Sequence, residues 1–280
     1  MAVAALGVFI WWTSQAGGYF ARDWMAGTLL LVVVGASALI GLRREIALPG
    51  RAAAVALVAF GAYVAWSFLS ISWAGAPADA LEGSQRALAY LVCFAIFVLL
   101  PWTPRALLAC VLGFAGTMTV LAAITLGGLT GGAPLAERFV DGSLLGPAGY
   151  HNASAALFAM AALPALMLAP QRELPAWLRA LLLAAAVLLL GVAGLGQSRG
   201  LLLTAPVVAV AALLLVPDRL RFALFTAPVL AALAIAAPDV LAVGRAGAGL
   251  PADAAEPAIL PLVEAAVTKL VLVTAGTLVA

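Results

Sequence analysis

The run ALLLAAAVLLLGVAGL at residues 180–195, the break GQSRG at 196–200 and the run LLLTAPVVAVAALLLV at 201–216 decide the fold. Neither run carries the polar stripe of a surface helix in water. A helix that is apolar all round lies in a large core or in a membrane. Composition chooses between these: 66% of the 280 residues are hydrophobic and 9% charged, with a mean hydropathy of +1.17. A soluble domain carries roughly 25% charged residues, so this chain lacks the material for a water-facing surface. The unit of reading becomes the apolar run of about 20 residues that spans hydrocarbon.

Working outward from 180–216, apolar runs alternate with short polar punctuation along the whole chain. They predict helices near Ala2–Ser14, Met25–Leu42, Ala52–Ile71, Ala87–Leu100, Ala106–Leu126, Ala153–Leu168, Ala180–Leu195, Leu201–Val216, Phe222–Ala237 and Ile259–Ala280. The expectation is an all-α polytopic integral membrane protein, a single transmembrane domain over residues 1–280 with about ten transmembrane helices. Arginine placement orients it. Loops after even-numbered helices hold Arg43, Arg44, Arg51, Arg105, Arg172, Arg179, Arg219 and Arg221; those after odd-numbered helices hold Arg22, Arg86, Arg138, Arg199 and Arg245. The richer set is assigned to the cytoplasm, with both termini inside. Trp11, Trp12, Trp24, Trp73, Trp102 and Trp177 fall near the run ends, where interfacial aromatics collect. The cytoplasmic turns are short and proline-rich. The external segments Ser72–Arg86, Gly127–Asn152 and Pro238–Ala258 are longer and chemically more varied, so function is expected on the external face.

Several classes are excluded. A net charge of +2 with no basic tail argues against nucleic acid. The two cysteines, Cys93 and Cys110, lie inside apolar runs, which argues against a disulfide framework or a zinc site. His151 is the only histidine, so a multi-histidine metal site is excluded. No basic residue precedes the first apolar run, which reads as a membrane helix rather than a cleavable signal.

Three segments carry candidate chemistry. In Gln197-Ser198-Arg199-Gly200 an arginine sits at or just below the external surface, where charge normally faces protein or a water-filled cavity. Its planar fork suits phosphate oxygens. Chemistry alone leaves open a snorkelling arginine in a short turn. In Gly146-Pro147-Ala148-Gly149-Tyr150-His151-Asn152 a loop containing Arg138 and Asp141 opens into a helix, with Asn152 a reasonable N-cap. A helix N-terminus facing an external cavity favours anions; a capping turn with Tyr150 as an ordinary interface anchor is the reading the residues favour. In Trp66–Tyr90, Asp79 and Glu82 fit a short amphipathic surface segment or, the reading favoured for them, an interface anchor followed by a re-entry turn, and Arg86 starts the next membrane helix. Arg245 reads as solvated in an external loop. Lys269 reads as pairing with Glu264 or snorkelling.

These segments, in this order, resemble the O-antigen ligase and O-antigen polymerase superfamily of bacterial membrane glycosyltransferases. The likeness rests on Trp66-Ser67 through Ser72-Trp73-Ala74, Ala80-Leu81 and Arg86…Tyr90; on Gly146-Pro147…Tyr150-His151-Asn152-Ala153; and on Ser198-Arg199-Gly200 followed by an apolar helix and Pro217-Asp218-Arg219. It covers roughly residues 18–237. The resemblance implies a lipid-carrier-dependent glycosyltransferase of the bacterial cytoplasmic (inner) membrane. Such an enzyme takes a glycan from undecaprenyl diphosphate on the external face and passes it to an acceptor lipid, glycan or protein, with no metal and no cofactor. It implies that Arg199 and Arg86 bind the diphosphate, and that Ser198, Tyr150, His151, Asn152 and Arg138 line the cavity. The family's large external loop, with its catalytic histidine, has no counterpart here. The expectation is therefore the N-terminal part of a longer protein, with its catalytic residues unknown. A transporter or flippase-like permease for a lipid-linked sugar and a non-catalytic membrane assembly subunit stand as alternatives.

Overall fold

The computed structural model describes residues 2–42, 50–131, 134–250 and 252–279. Among the described residues ten α-helices succeed one another: α1 Ala2–Ser14, α2 Ala21–Gly41, α3 Arg51–Ser70, α4 Pro77–Leu99, α5 Pro104–Gly128, α6 His151–Leu168, α7 Ala176–Leu195, α8 Arg199–Leu215, α9 Arg219–Gly247 and α10 Ala252–Val279. Every apolar run becomes a helix because hydrocarbon leaves the backbone no partner except itself. The basic pair Arg43-Arg44 and its neighbour Glu45 lie outside the described residues.

Eight of the helices, α2 to α7, α9 and α10, are long and apolar enough to cross a membrane. This trims the expected count of about ten. The 13 residues of α1 rise only about 20 Å, short of roughly 30 Å of hydrocarbon, whereas the 17 of α8 rise about 26 Å and join the two ends of the second unit. The surface agrees with a bilayer as solvent. Val58 on α3 is 73% exposed and Leu203 on α8 77% exposed, and both helices are apolar along their length. The chain is an all-α, multi-pass membrane protein.

Two compact units form, Met1–Leu108 and Ala109–Ala280. In the first, α4 packs against both α2 and α3. Gly35 on α2 makes one of these contacts possible, since a Cβ there would lie 2.6 Å from Ile96. In the second, α7 is the hub, with α6, α9 and α10 packed on it and half of it buried. Its centre is built from small side chains: Ala165 and Ala169, Ala186 and Val187 on α7, and Val229 and Ala232 on α9. Lipid is as apolar as leucine, so helices associate through close packing of this kind.

Three expectations change. Asp79 and Glu82 do not form a separate surface segment; they occupy the first turns of α4, which opens with Pro77 at its N-terminus, a position where proline's missing N–H is harmless. The external segment expected over Pro238–Ala258 shrinks to a short link, because α9 runs through Pro228 and Pro238 to Gly247 and carries Arg245 in its last turn. Proline ends helices readily in water, but within a membrane bundle the chain gains more by continuing. Lys269 pairs with Asp239 of α9 at 3.8 Å rather than with Glu264; five residues along a helix turn two side chains onto different faces.

Candidate functional site

The segment between α5 and α6, read from sequence as a loop, folds into a small plug on one end of the second unit. A 3-10 turn at Leu135–Glu137 leads into strand β1, Phe139–Val140, which pairs antiparallel with β2, Ser143–Leu144. Asp141 and Gly142 make the two-residue turn, with φ of 50° and 71°, the positive values that suit hairpin twist. The flanks are buried: Leu135 is 1% exposed and Leu144 2%. Beyond the hairpin, the Ser154 hydroxyl donates to the Leu145 carbonyl at 2.5 Å and accepts from the Ala148 amide at 3.2 Å. This ties the Gly146–Tyr150 turn to the first turns of α6.

The plug is seated by direct backbone contact. A Cβ on Gly142 would lie 2.6 Å from the Gly244 carbonyl oxygen, and one on Gly247 would lie 2.5 Å from the Cα of Gly142. Glu256 adds a polar tie, its carboxylate accepting from the Ala136 amide at 3.3 Å.

Beside the plug, the starts of α6 and α8 meet. His151 is the first residue of α6, and its Nδ1 lies 3.0 Å from the carbonyl oxygen of Gly196, at the end of α7. A carbonyl only accepts, so Nδ1 carries the proton in this bond, and Nε2 of the neutral ring is the nitrogen that can accept one. Tyr150 occupies the cap position expected for Asn152, whose amide instead donates to the Tyr150 hydroxyl at 2.8 Å. The Tyr150 and His151 rings meet edge to face at 5.0 Å. Gln197 follows with φ of 47°, and its Nε2 donates to the carbonyls of Gly194 and Val240 at 3.2 and 3.0 Å. Ser198, 7% exposed, caps α8 by accepting from the Leu201 amide at 3.2 Å. Arg199 is then the first residue of α8, exposed, with no hydrogen-bond or ion-pair partner among the described residues.

The structure thus brings Tyr150, His151 and Asn152 beside the Gly196–Arg199 turn. Ser198 serves as a helix cap. The Arg138 guanidinium lies against Gly128, at the end of α5, where a cation meets the negative end of the helix. Arg86 belongs to the first unit and is engaged there. It donates to the Tyr19 carbonyl at 2.7 Å and to Glu82 at 2.9 Å, and its guanidinium lies 5.8 and 5.6 Å from the rings of Tyr19 and Trp24. The sequence named Gln197 but not its partners, and it left the hairpin as a loop. The Asp141-Gly142 pair between Phe139-Val140 and Ser143-Leu144 was the available hairpin signal; the bond from Gln197 to Val240 had none, because Val240 is remote in sequence.

The site as a whole is two helix N-termini, which carry partial positive charge, one unengaged guanidinium and one imidazole with an assigned proton. That arrangement suits an anion beside a hydroxyl that must lose a proton. His151→Asn is expected to retain the link to Gly196, because the asparagine amide can replace Nδ1–H. His151→Ala loses the link and about 1 kcal/mol of stability. Thermal unfolding of the two variants in detergent separates them; equal melting would show that the bond contributes nothing.

No known protein family, curated protein or solved structure matches this chain.

Proposed function

We propose that the chain belongs to the glycan-transfer machinery of a bacterial cytoplasmic membrane, and that its plugged end receives an undecaprenyl-diphosphate-linked glycan on the external face. The observation that carries this reading is Arg199: a charge at the end of a membrane bundle, exposed and without a partner among the described residues, on a Ser198-capped helix start beside a second helix start. A diphosphate ester gains negative charge as the sugar–oxygen bond breaks, and a fixed guanidinium stabilises charge most where it develops. The acceptor hydroxyl needs a base, and the Nε2 of His151 is the one imidazole nitrogen available for it. The likeness of the Ser-Arg-Gly and Tyr-His-Asn segments to O-antigen ligases and polymerases supports the same assignment.

The experiment is transfer from purified undecaprenyl-diphosphate-linked glycan by the wild-type protein, Arg199→Ala and Arg199→Lys. Equal rates for all three at equal membrane levels would refute the reading.

One observation favours a second reading, a permease for a lipid-linked sugar. Asp239 and Lys269 form an ion pair between α9 and α10, helices that run on through Pro228, Pro238, Pro257 and Pro261. Ionisable residues inside spans often mark transport paths. Asp239→Asn is expected to weaken the α9–α10 pairing and Asp239→Asn with Lys269→Gln to recover much of it, as seen by thermal unfolding. If both forms also abolish movement of a fluorescent lipid-linked sugar across proteoliposomes while glycan transfer survives, the permease reading gains.

A further inference from the structure

The opposite end of the second unit holds a cluster that the diphosphate reading does not use. There the link between α6 and α7 meets the link between α8 and α9. The two links enclose a cleft of about 180 Å³ lined by Gln171, Arg172, Glu173, Asp218, Arg221 and Phe222. The 20 residues of α7 separate it from the His151–Arg199 end by about 30 Å, one hydrocarbon thickness.

Four arginines gather around this end, Arg172, Arg179, Arg219 and Arg221, against two carboxylates, Glu173 and Asp218. The guanidiniums are not free to disperse. Arg179 and Arg221 share the ring of Phe225, at 4.7 and 5.5 Å from its centroid. Arg179 Nε donates to the Ala169 carbonyl at 3.1 Å. Asp218 is engaged as the α9 cap, accepting from the Arg221 amide at 3.0 Å. The Arg221 Nε is buried with no acceptor among the described residues. Holding a guanidinium N–H dry and unbonded is costly. The cluster is therefore positively charged, pre-organised by Phe225, and short of acceptor oxygens.

Its surroundings identify the kind of acceptor. Trp177, in the first turn of α7, is 65% exposed, and exposed tryptophan at the end of a spanning helix marks the headgroup level. The flank below the cleft is exposed and apolar: Leu215 is 78% exposed, Leu220 72% and Leu224 63%. A ligand with phosphate oxygens above and hydrocarbon below fits both. We infer that this cleft binds the headgroup phosphate of an anionic membrane phospholipid, with Arg172 and Arg221 as the donors and the acyl chains lying along Leu220 and Leu224. Basic pockets between helices recognise anionic headgroups in this way, and the fork of arginine suits phosphate geometry.

The test is native mass spectrometry of the full chain from detergent micelles containing equal phosphatidylglycerol and phosphatidylcholine. The wild-type protein should retain phosphatidylglycerol preferentially. Arg172→Gln and Arg221→Gln should each lower that retention by roughly fivefold and leave phosphatidylcholine unchanged, while Arg221→Lys should retain more than Arg221→Gln. Arg172 is exposed, so Arg172→Gln decides the matter even if Arg221→Gln fails to fold. Equal retention of the two lipids by the wild-type protein, or undiminished phosphatidylglycerol retention by Arg172→Gln, would overturn the assignment. So would stabilisation by inorganic phosphate with no lipid retained, which would make the ligand a free anion.

Discussion

Arg199→Ala is expected to reduce glycan transfer by about 100- to 1000-fold, the range found when one fixed donor is removed from a site of developing charge. The size follows from what surrounds the residue. No other arginine or lysine lies between Leu174 and Val216 except Arg179, which is held at the other end of α7 by the Ala169 carbonyl and Phe225. The two helix starts carry only partial charge and cannot replace a guanidinium. Arg199→Lys should lose less, because it keeps the charge but not the two-pronged geometry. The protein itself should be unharmed: Arg199 is exposed and unpartnered among the described residues, and substitutions at such positions usually change stability by less than about 0.5 kcal/mol. Membrane level and melting temperature therefore serve as controls, and transfer from purified donor is the readout. A loss of transfer accompanied by loss of protein would count against this account.

The second large effect concerns stability. Gly142→Ala is expected to destabilise the second unit by about 3 kcal/mol, combining a left-handed backbone that a side chain strains against with overpacking. The added Cβ would meet the Gly244 carbonyl at 2.6 Å and the Val243 carbonyl at 3.0 Å. Both are main-chain atoms of α9, which cannot swing aside as a side chain can. Gly247→Ala tests the same contact from the other partner. Alanine in a helix normally stabilises relative to glycine by up to about 1 kcal/mol; here the Cβ would lie 2.5 Å from the Gly142 Cα, so the sign should reverse. Gly276→Ala in α10 is the control, with open space around its added methyl, and should be neutral or stabilising. Thermal unfolding in detergent reads all three, and proteolysis within residues 134–150 reads release of the plug. Gly247→Ala melting higher than wild type, as Gly276→Ala should, would show that the plug is not seated on α9.

Sequence alone determined that the apolar runs are helices. Runs such as 180–195 and 201–216 leave the backbone no partner but itself in lipid, so their helicity follows from local composition. The polar break at Ser198 and Arg199 was legible as the end of one run and the start of the next, whereas the role of Ser198 as the α8 cap came from the structure. The tertiary structure alone decided the rest. Whether α9 stops at Pro238 or runs on to Gly247 depends on what surrounds it, and a rule learned in water gave the wrong end. The partner of Lys269 is Asp239, thirty residues earlier in the chain rather than five, and no local period predicts that. The Asp141-Gly142 turn could have been read from its dipeptide. Its seat against Gly244 and Gly247 could not, because the contact joins two backbones about a hundred residues apart, and glycine's lack of a side chain leaves no pattern to read. Arg199 was thus named by its neighbours in sequence. The turn that leads into it is held to His151 by one carbonyl, that of Gly196, which only packing of α6 on α7 could bring within 3.0 Å.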